Sequence, residues 1–499
     1  MNKKQLIYLI AFLSGFLSLA QEILWMRLIS FVGMSVPQTF SFTLALFLLG
    51  IALGAHIGKK ICQRQTHLTL DYLGQIFLLA GVVDLLLICL VYGSSYYWRS
   101  SVAVLGVCVL ACACVRGIVF PMVHHVGTQE AKTGAQISNV YFSNVFGSAL
   151  APLCISFIAL DFLNTQQVYL AVCLMTLLLA ALCMQAKTLK IMALGCGLIS
   201  FWAISLPEKL FYEFSKNSYQ ANTYPSRILE NRHGIIQVYD NQQDQLVFGA
   251  NVYDGKFNTD LFHNTNGIDR AYLLTALKPQ AEQILVIGLS TGSWAKVLSY
   301  LPNIKKMIII EINPNYVELI KSHPEIVELL SDPRVEIITD DGRKWLKKNS
   351  QARFDLVLMN TTWNWRAYTS NLLSQDFIGL IKQRLVPDGI VFYNSTRSMN
   401  VYPTAQQVFP WVYQYKFMVL AAEQPQFIKR ERVQRNLCAL KNYSTQQAIF
   451  TSDQLCHEAA TQIVEHRLVP YSELEFTSNE LEVITDDNMI TEFKYGLGL

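Results

Sequence analysis

The sequence predicts an α-helical membrane bundle of six to seven spans followed by an α/β domain, with a small antiparallel β subdomain at its start. Three observations predict it. Long apolar runs with few charges fill the first 206 residues, and a span needs about 20 such residues. Charge divides at the same point: 11 lysines and arginines against 5 acidic residues precede Pro207, and 29 against 32 follow it. Beyond Pro207, short apolar runs alternate with amphipathic stretches, the pattern of a sheet covered by helices. The expected divisions are 1–206 for the bundle, 207–278 for a linker and the β subdomain, and 279–499 for the α/β domain.

Over the 499 residues, 52% are apolar and only 15% charged, against roughly 25% charged in soluble proteins. A disordered chain is excluded, and no basic block points to nucleic acid. Nine of the eleven cysteines lie in the apolar runs, where a thiol acts as a small hydrophobe. Only Cys438 and Cys456 follow Pro207, so neither a disulfide framework nor a zinc pattern is predicted.

Spans are predicted at 6–31, 40–57, 73–91, 102–123, 140–160, 168–183 and 191–206. Lys3, Lys4, Lys59, Lys60, Arg64, Lys132, Lys187 and Lys190 fall on one side, Arg99 and Lys209 on the other. The positive-inside bias makes the N-terminus cytoplasmic, in an inner (plasma) membrane. Polar residues within spans are costly; Gln21, Glu22, Arg27, Asp84 and Arg116 are the cases here, with Asp84 and Arg116 readable as an ion pair. Gly50, Gly54 and Gly58, four apart, predict close helix packing.

In the second half, strands are expected at 234–239, 245–253, 283–288, 306–311, 335–338, 354–359, 389–394, 416–422 and 434–440. Helices are expected at 291–300, 314–322, 342–349 and 374–385. Strand ends carry the chemistry. Gly288-Leu-Ser-Thr-Gly292 joins the first core strand to a helix, a turn that lets backbone approach a ligand. Glu311 ends the second strand, where a carboxylate can accept both hydroxyl hydrogens of a ribose. Asp341 and Gly342 follow the third, where an adenine amino group could donate. The three in order predict a Rossmann-like adenosyl-nucleoside site. With no second glycine-rich phosphate turn and no basic residue in the first loop, S-adenosylmethionine or its decarboxylated form is expected as donor substrate rather than NAD, without a metal.

At these residues the chain resembles the spermidine synthase family of class I methyltransferase-type folds, and more closely its membrane-fused branch. Ser14-Gly15, Gln21, Trp25 and Arg27 resemble the branch's first span, and Tyr253-Asp254-Gly255-Lys256-Phe257-Asn258 its substrate-side strand and turn. Gly288 to Gly292 stands where the family has GGGDG, and Glu311-Ile-Asn-Pro314 resembles its ribose-binding motif. Asp341-Gly342 resembles its adenine-side pair, and Thr485-Asp486-Asp487-Asn488 its C-terminal motif. The departures fall on the chemistry. Asn360 and Trp363 occupy the two carboxylate positions of the family's DSxDP-type loop, and Thr291 replaces the Asp of GGGDG. An amide cannot serve as a carboxylate base, which argues against a standard spermidine synthase.

Asn360 followed three residues later by an aromatic also resembles the Asn-Pro-Pro-aromatic loop of amino and amide methyltransferases; a rigid loop closing over the nucleoside fits the same residues. Asn360, Trp363 and Asp254 are therefore the catalytic candidates. Tyr239, Tyr253, Asp260, Asp269 and Arg366 are the substrate-side candidates, Arg366 as a fork for a carboxylate. The expected function is a membrane-anchored transferase that alkylates an amine or amide nitrogen by aminopropyl or methyl transfer. The alternative is a catalytically retired nucleoside- or polyamine-binding domain that senses for or gates a transporter module. Expected partners are a small-molecule amine or amide acceptor and the lipid bilayer, with a homodimer left open. Seven crossings would leave the second half outside, while the donor is a cytosolic metabolite. A re-entrant seventh segment reconciles these, so the soluble domain is expected in the cytoplasm; a Cys438–Cys456 bond would oppose that.

Overall fold

The computed structural model describes residues 3–65, 68–97, 101–128, 133–241, 244–360, 362–476, 481–488 and 492; Arg99 and Lys132 lie outside them. Two compact units divide the chain, Met1–Ile235 and Ile236–Gly498.

In the first unit, seven helices are long and apolar enough to cross a membrane, among the described residues. They are α1 (Lys3–Val32), α2 (Gln38–Arg64), α3 (Leu70–Tyr97), α4 (Val102–Gly127), α5 (Gly134–Cys154), α6 (Thr165–Cys183) and α7 (Lys187–Ile204). A π turn at Ile155–Ala159 carries α5 on towards Phe162, just past Pro152. The glycine stripe on α2 has a packing cause. A Cβ at Gly54 would collide with the Cys114 carbonyl of α4, and one at Gly58 would lie 2.7 Å from the Ile118 carbonyl, so glycine lets the two backbones touch.

Asp84 of α3 pairs with Arg116 of α4. Cys112 donates to the same carboxylate at 3.3 Å, and Arg116 reaches Thr176 Oγ1 at 3.4 Å. These interactions satisfy the charges locally, as the ion-pair reading expected. Near the end of α1, Arg27 donates to Thr165 Oγ1 at 2.8 Å, to Glu230 at 3.2 Å and to the Asn231 carbonyl at 2.6 Å. Gln166 and Gln167 of α6 reach the carbonyls of Pro207 and Ile204. The end of α1, the start of α6 and the exit of α7 therefore share one face of this unit. At the other face Asp71, in the first turn of α3, accepts from the backbone of Gln185 and Ala186 in the α6–α7 turn.

In the second unit, strands β1 (Gly234–Asp240), β2 (Gln245–Gly249) and β3 (Val252–Lys256) pair antiparallel, Val238 against Val247 and Val247 against Gly255. The single strand expected at 245–253 is thus two. Ala250 and Asn251 adopt left-handed φ of +46° and +68°, the geometry of a two-residue hairpin turn.

The larger sheet has eight strands. Its parallel core is β4 (Gln283–Ile287), β5 (Lys306–Glu311), β6 (Val335–Thr339), β7 (Phe354–Met359) and β8 (Leu385–Asn394), in the order β8-β7-β4-β5-β6. Beyond β8 the antiparallel strands β10 (Met418–Ala422), β9 (Trp411–Tyr415) and β11 (Val469–Pro470) complete the mixed sheet. Helix α8 (Asp269–Leu277) precedes the core. The crossover helices are α9 (Ser293–Leu298), α10 (Pro314–Ile320), α11 (Gly342–Lys348) and α12 (Gln375–Lys382). One face of the sheet is buried by Leu346, Phe377 and Ile381 packed on Leu285, Val357 and Val391. The strand expected at 434–440 is part of a helix, α13 (Arg430–Cys438): Val433 and Leu437, four apart, are its buried face, a helical period rather than a strand's. Cys438 is bonded to Cys456 of α14 (Asp453–Val464), with Cα atoms 5.5 Å apart.

Candidate active site

The β4 turn is built by its glycines. Gly288 and Gly292 take φ of +89° and +74°, where any side chain is strained. A Cβ at Gly288 would lie 2.7 Å from the Asn360 carbonyl, and one at Gly292 the same distance from Ile326. Ser290 between them is also left-handed, at +49°, and its hydroxyl donates to the Asp254 carbonyl at 3.0 Å. Thr291, where the resemblance expects an acid, donates to the Lys256 carbonyl at 3.0 Å.

Glu311 ends β5 and is buried. Its Oε2 accepts from the Leu289 N–H at 2.7 Å and its Oε1 from the Asn313 N–H at 2.8 Å. Burial nonetheless pushes its pKa up to about 7, the two N–H donors opposing. Asp341 is the N-cap of α11, accepting from Lys344 N at 2.6 Å. A Cβ at Gly342 would lie 2.8 Å from Ile287 Cγ2, which explains that glycine by helix–strand packing.

A cavity of about 360 Å³ opens above this turn. Tyr253, Asp254, Asn360 and Trp363 line it, with Leu289, Ser290 and Thr291 of the glycine turn at its floor. Asn360 is fixed by its N–H to the Ile287 carbonyl at 3.0 Å. Trp363 donates Nε1 to the Tyr253 carbonyl at 3.4 Å and stacks against Trp365 at 6.3 Å. Burial pushes the Tyr253 phenol up to about 12. Burial also raises the Asp254 carboxyl, against a hydrogen bond from Tyr316 and the charge of Arg366.

Gly288, Gly292, Glu311, Asp341 and Gly342 are not among the residues that line this cavity, and four further expected site residues stand elsewhere. Tyr239 is fully buried, edge-on to Phe248 at 5.2 Å, so it packs the β subdomain. Asp260 caps its own turn, accepting from Phe262 N at 2.9 Å. Asp269 is fully buried and satisfied by Lys416 at 2.6 Å, Asn264 at 2.6 Å and Tyr415 at 3.3 Å. Arg366 turns towards Asp254 and donates to Thr362 Oγ1 at 2.8 Å, which makes it a brace for the Asp254 wall rather than an open fork. Asp486 likewise accepts both ends of the Arg343 guanidinium and the Ser374 hydroxyl, tying the C-terminal motif to α11.

The sequence reading missed Arg270 and Arg397, which also line the cavity. A signal was present for the second: Asn394-Ser395-Thr396-Arg397 follows the end of β8, and ligands of such sheets gather at strand ends.

Residues 272–423 match the family model for the spermine/spermidine synthase domain. That match lies in the C-terminal part and takes in under a third of the chain. Among curated relatives, the polyamine aminopropyltransferase of Streptococcus uberis is 32% identical over 119 residues, 24% of this chain and 41% of that protein. The one of Bacillus subtilis is 27% identical over 140 residues, 26% of this chain and 50% of that protein. The chain thus spans half or less of their length. The solved spermidine synthase of Thermotoga maritima is 14% identical, with 40% of this chain and 74% of that one covered at a TM-score of 0.33. Within the synthase-type domain, the match takes in β4 through β10 and the loop that carries Asn360 and Trp363, while Tyr253 and Asp254 precede it.

Proposed function

We propose that the protein is a membrane-anchored transferase that alkylates an amine or amide nitrogen, with S-adenosylmethionine or decarboxylated S-adenosylmethionine as donor. The observation that carries this reading is the buried Glu311 carboxylate, bonded to the Leu289 N–H at the floor of the cavity that Asn360 and Trp363 line. Glu311 would hold the ribose, Asp341 and Gly342 the adenine side, and the Gly288–Gly292 turn the sulfonium side. The acceptor nitrogen attacks the carbon on sulfur as the C–S bond breaks. The thioether leaves with the electron pair, and the nitrogen sheds one proton. Such an in-line displacement depends on alignment and a dry pocket more than on a strong base. Asn360 offers an amide oxygen to the acceptor N–H, and Trp363 a wall. Asp254 is the one carboxylate among the described lining residues, and its raised pKa suits it to take the proton.

The test is product analysis with the full-length protein in detergent. Methylthioadenosine release indicates aminopropyl transfer from the decarboxylated donor or aminocarboxypropyl transfer from S-adenosylmethionine, and S-adenosylhomocysteine indicates methyl transfer. Neither product across a panel of amines and amides would remove the enzyme reading.

The seven apolar helices support a multi-pass anchor with the Lys59, Lys60, Lys187 and Lys190 face towards the cytoplasm. An odd number of crossings, the chain's exit on the Arg27 face and the Cys438–Cys456 bond all favour the oxidising side for the synthase-type domain. This departs from the cytoplasmic side that the donor alone suggested. The same bond favours a second reading, in which the domain binds its ligand without turnover and signals to the helices. Tight nucleoside binding with no product would support it.

A further inference from the structure

We propose that the cavity takes a ligand bearing a carboxylate, held by Arg397 and Arg270, and that a polyamine is not its occupant. Among the described residues, the charged side chains that line it are Asp254, Arg270 and Arg397. Asp254 is offset by Arg366 and bonded by Tyr316. Neither Arg270 nor Arg397 has a carboxylate within ion-pair distance among the described residues. The acid next to Arg270 in sequence, Asp269, favours the charged guanidinium at longer range but is itself ion-paired with Lys416 at 2.6 Å. The lining therefore presents an excess of positive charge, which repels an ammonium and attracts an anion.

Both arginines are held in place by backbone and rings. Arg270 lies over the Trp294 ring at 4.5 Å and donates to the Gly267 carbonyl at 2.9 Å and the Asn266 carbonyl at 3.2 Å. Gly267 is left-handed at +60°, and a Cβ there would lie 2.5 Å from the Arg270 guanidinium, so the glycine keeps that position open. Arg397 is exposed and lies 5.3 Å from the centre of the Trp363 ring and 5.8 Å from that of Phe417. Its turn takes two successive left-handed residues, Thr396 at +50° and Arg397 at +70°. Ser395 N bonds to the Phe417 carbonyl at 2.8 Å and Thr396 N to Asn394 Oδ1 at 2.9 Å, bracing it. Strained backbone that is over-determined in this way concentrates at ligand sites. The Arg397 guanidinium beside its rings keeps its edge free to bond a carboxylate, while Arg270, whose Nη1 also reaches Met418 Sδ at 3.8 Å, has fewer N–H groups left and contributes chiefly its charge.

The carboxylate can belong to the donor, as the α-carboxylate of S-adenosylmethionine, or to the acceptor; the donor case rests on the alkyl-transfer reading. Two matched pairs distinguish them by calorimetry on the full-length protein in detergent. The donor pair is S-adenosylmethionine and decarboxylated S-adenosylmethionine. The acceptor pair is 4-aminobutanoate and 1,4-diaminobutane, run with methylthioadenosine present. The carboxylated member of at least one pair is expected to bind tenfold or more tightly than its partner. Arg397→Ala, at an exposed position, should remove most of that difference, and Arg397→Lys should retain part of it. If neither carboxylated compound outbinds its partner, including where nothing binds, the proposal is overturned. Methylthioadenosine alone reports separately on the nucleoside site: its failure to bind marks failure of the functional reading as well, and its binding without a carboxylate preference overturns this proposal alone.

Discussion

Glu311 faces two demands. Burial pushes its carboxyl up to about 7, so the folded protein binds that proton more readily than the unfolded chain does. The stability this contributes is complete below the ordinary glutamate range and is lost as pH rises through about 7. A ribose needs the ionised form. Methylthioadenosine affinity is therefore expected to rise about tenfold from pH 6 to pH 8, and calorimetry of Glu311→Ala should show no such rise. Asp254 and Arg366 form a coupled pair. Asp254→Asn leaves the Arg366 guanidinium without that counter-charge and should cost about 1 kcal/mol, less than a direct buried ion pair because the two groups act on each other only through charge. Adding Arg366→Gln should recover part of the loss in denaturant titrations. Glu311 and Gly288 were legible in the sequence because the end of an apolar run fixes where a strand stops. Tyr239 and Asp269 were misread because their partners, Phe248, Tyr415 and Lys416, are set by tertiary packing that no local spacing reports.

At the scale of elements, α2 against α4 is a contact sensitive to a single atom. Gly54→Ala must drive the Cys114 carbonyl and the two helix axes apart, with an expected loss of about 1–3 kcal/mol readable as a lower melting temperature in detergent. Gly93, with nothing near its added Cβ, is the matching control. The parallel strands were legible because runs such as Ile308–Ile310 are apolar on both faces, as a covered sheet requires. The edge was not. Trp411–Tyr415 is not among the expected strands although it pairs with Met418–Ala422, and the strand expected at 434–440 falls largely in the helix Arg430–Cys438. The division at Ala250–Asn251 escaped notice because neither residue is glycine, the usual mark of such a turn.

For the whole molecule, the side of the membrane is the decisive variable. An alkaline phosphatase fused after Leu206 is expected to be active, since that junction leaves the bundle on the face opposite Lys59 and Lys187; an inactive fusion would return the domain to the cytoplasm. Removing the crosslink by Cys438→Ala with Cys456→Ala should lower the stability of the synthase-type domain by about 3 kcal/mol, the scale set by closing a loop of this length. The two-part architecture was visible in composition alone. The side was not, because the donor's compartment and the odd number of spans give opposite answers. Their location has one more consequence. The other nine cysteines all sit in the first unit, so an oxidant acting on the second half meets two thiols and a single way of joining them. Within the second unit only one intramolecular pairing exists, so no mistaken bond inside it would need reshuffling.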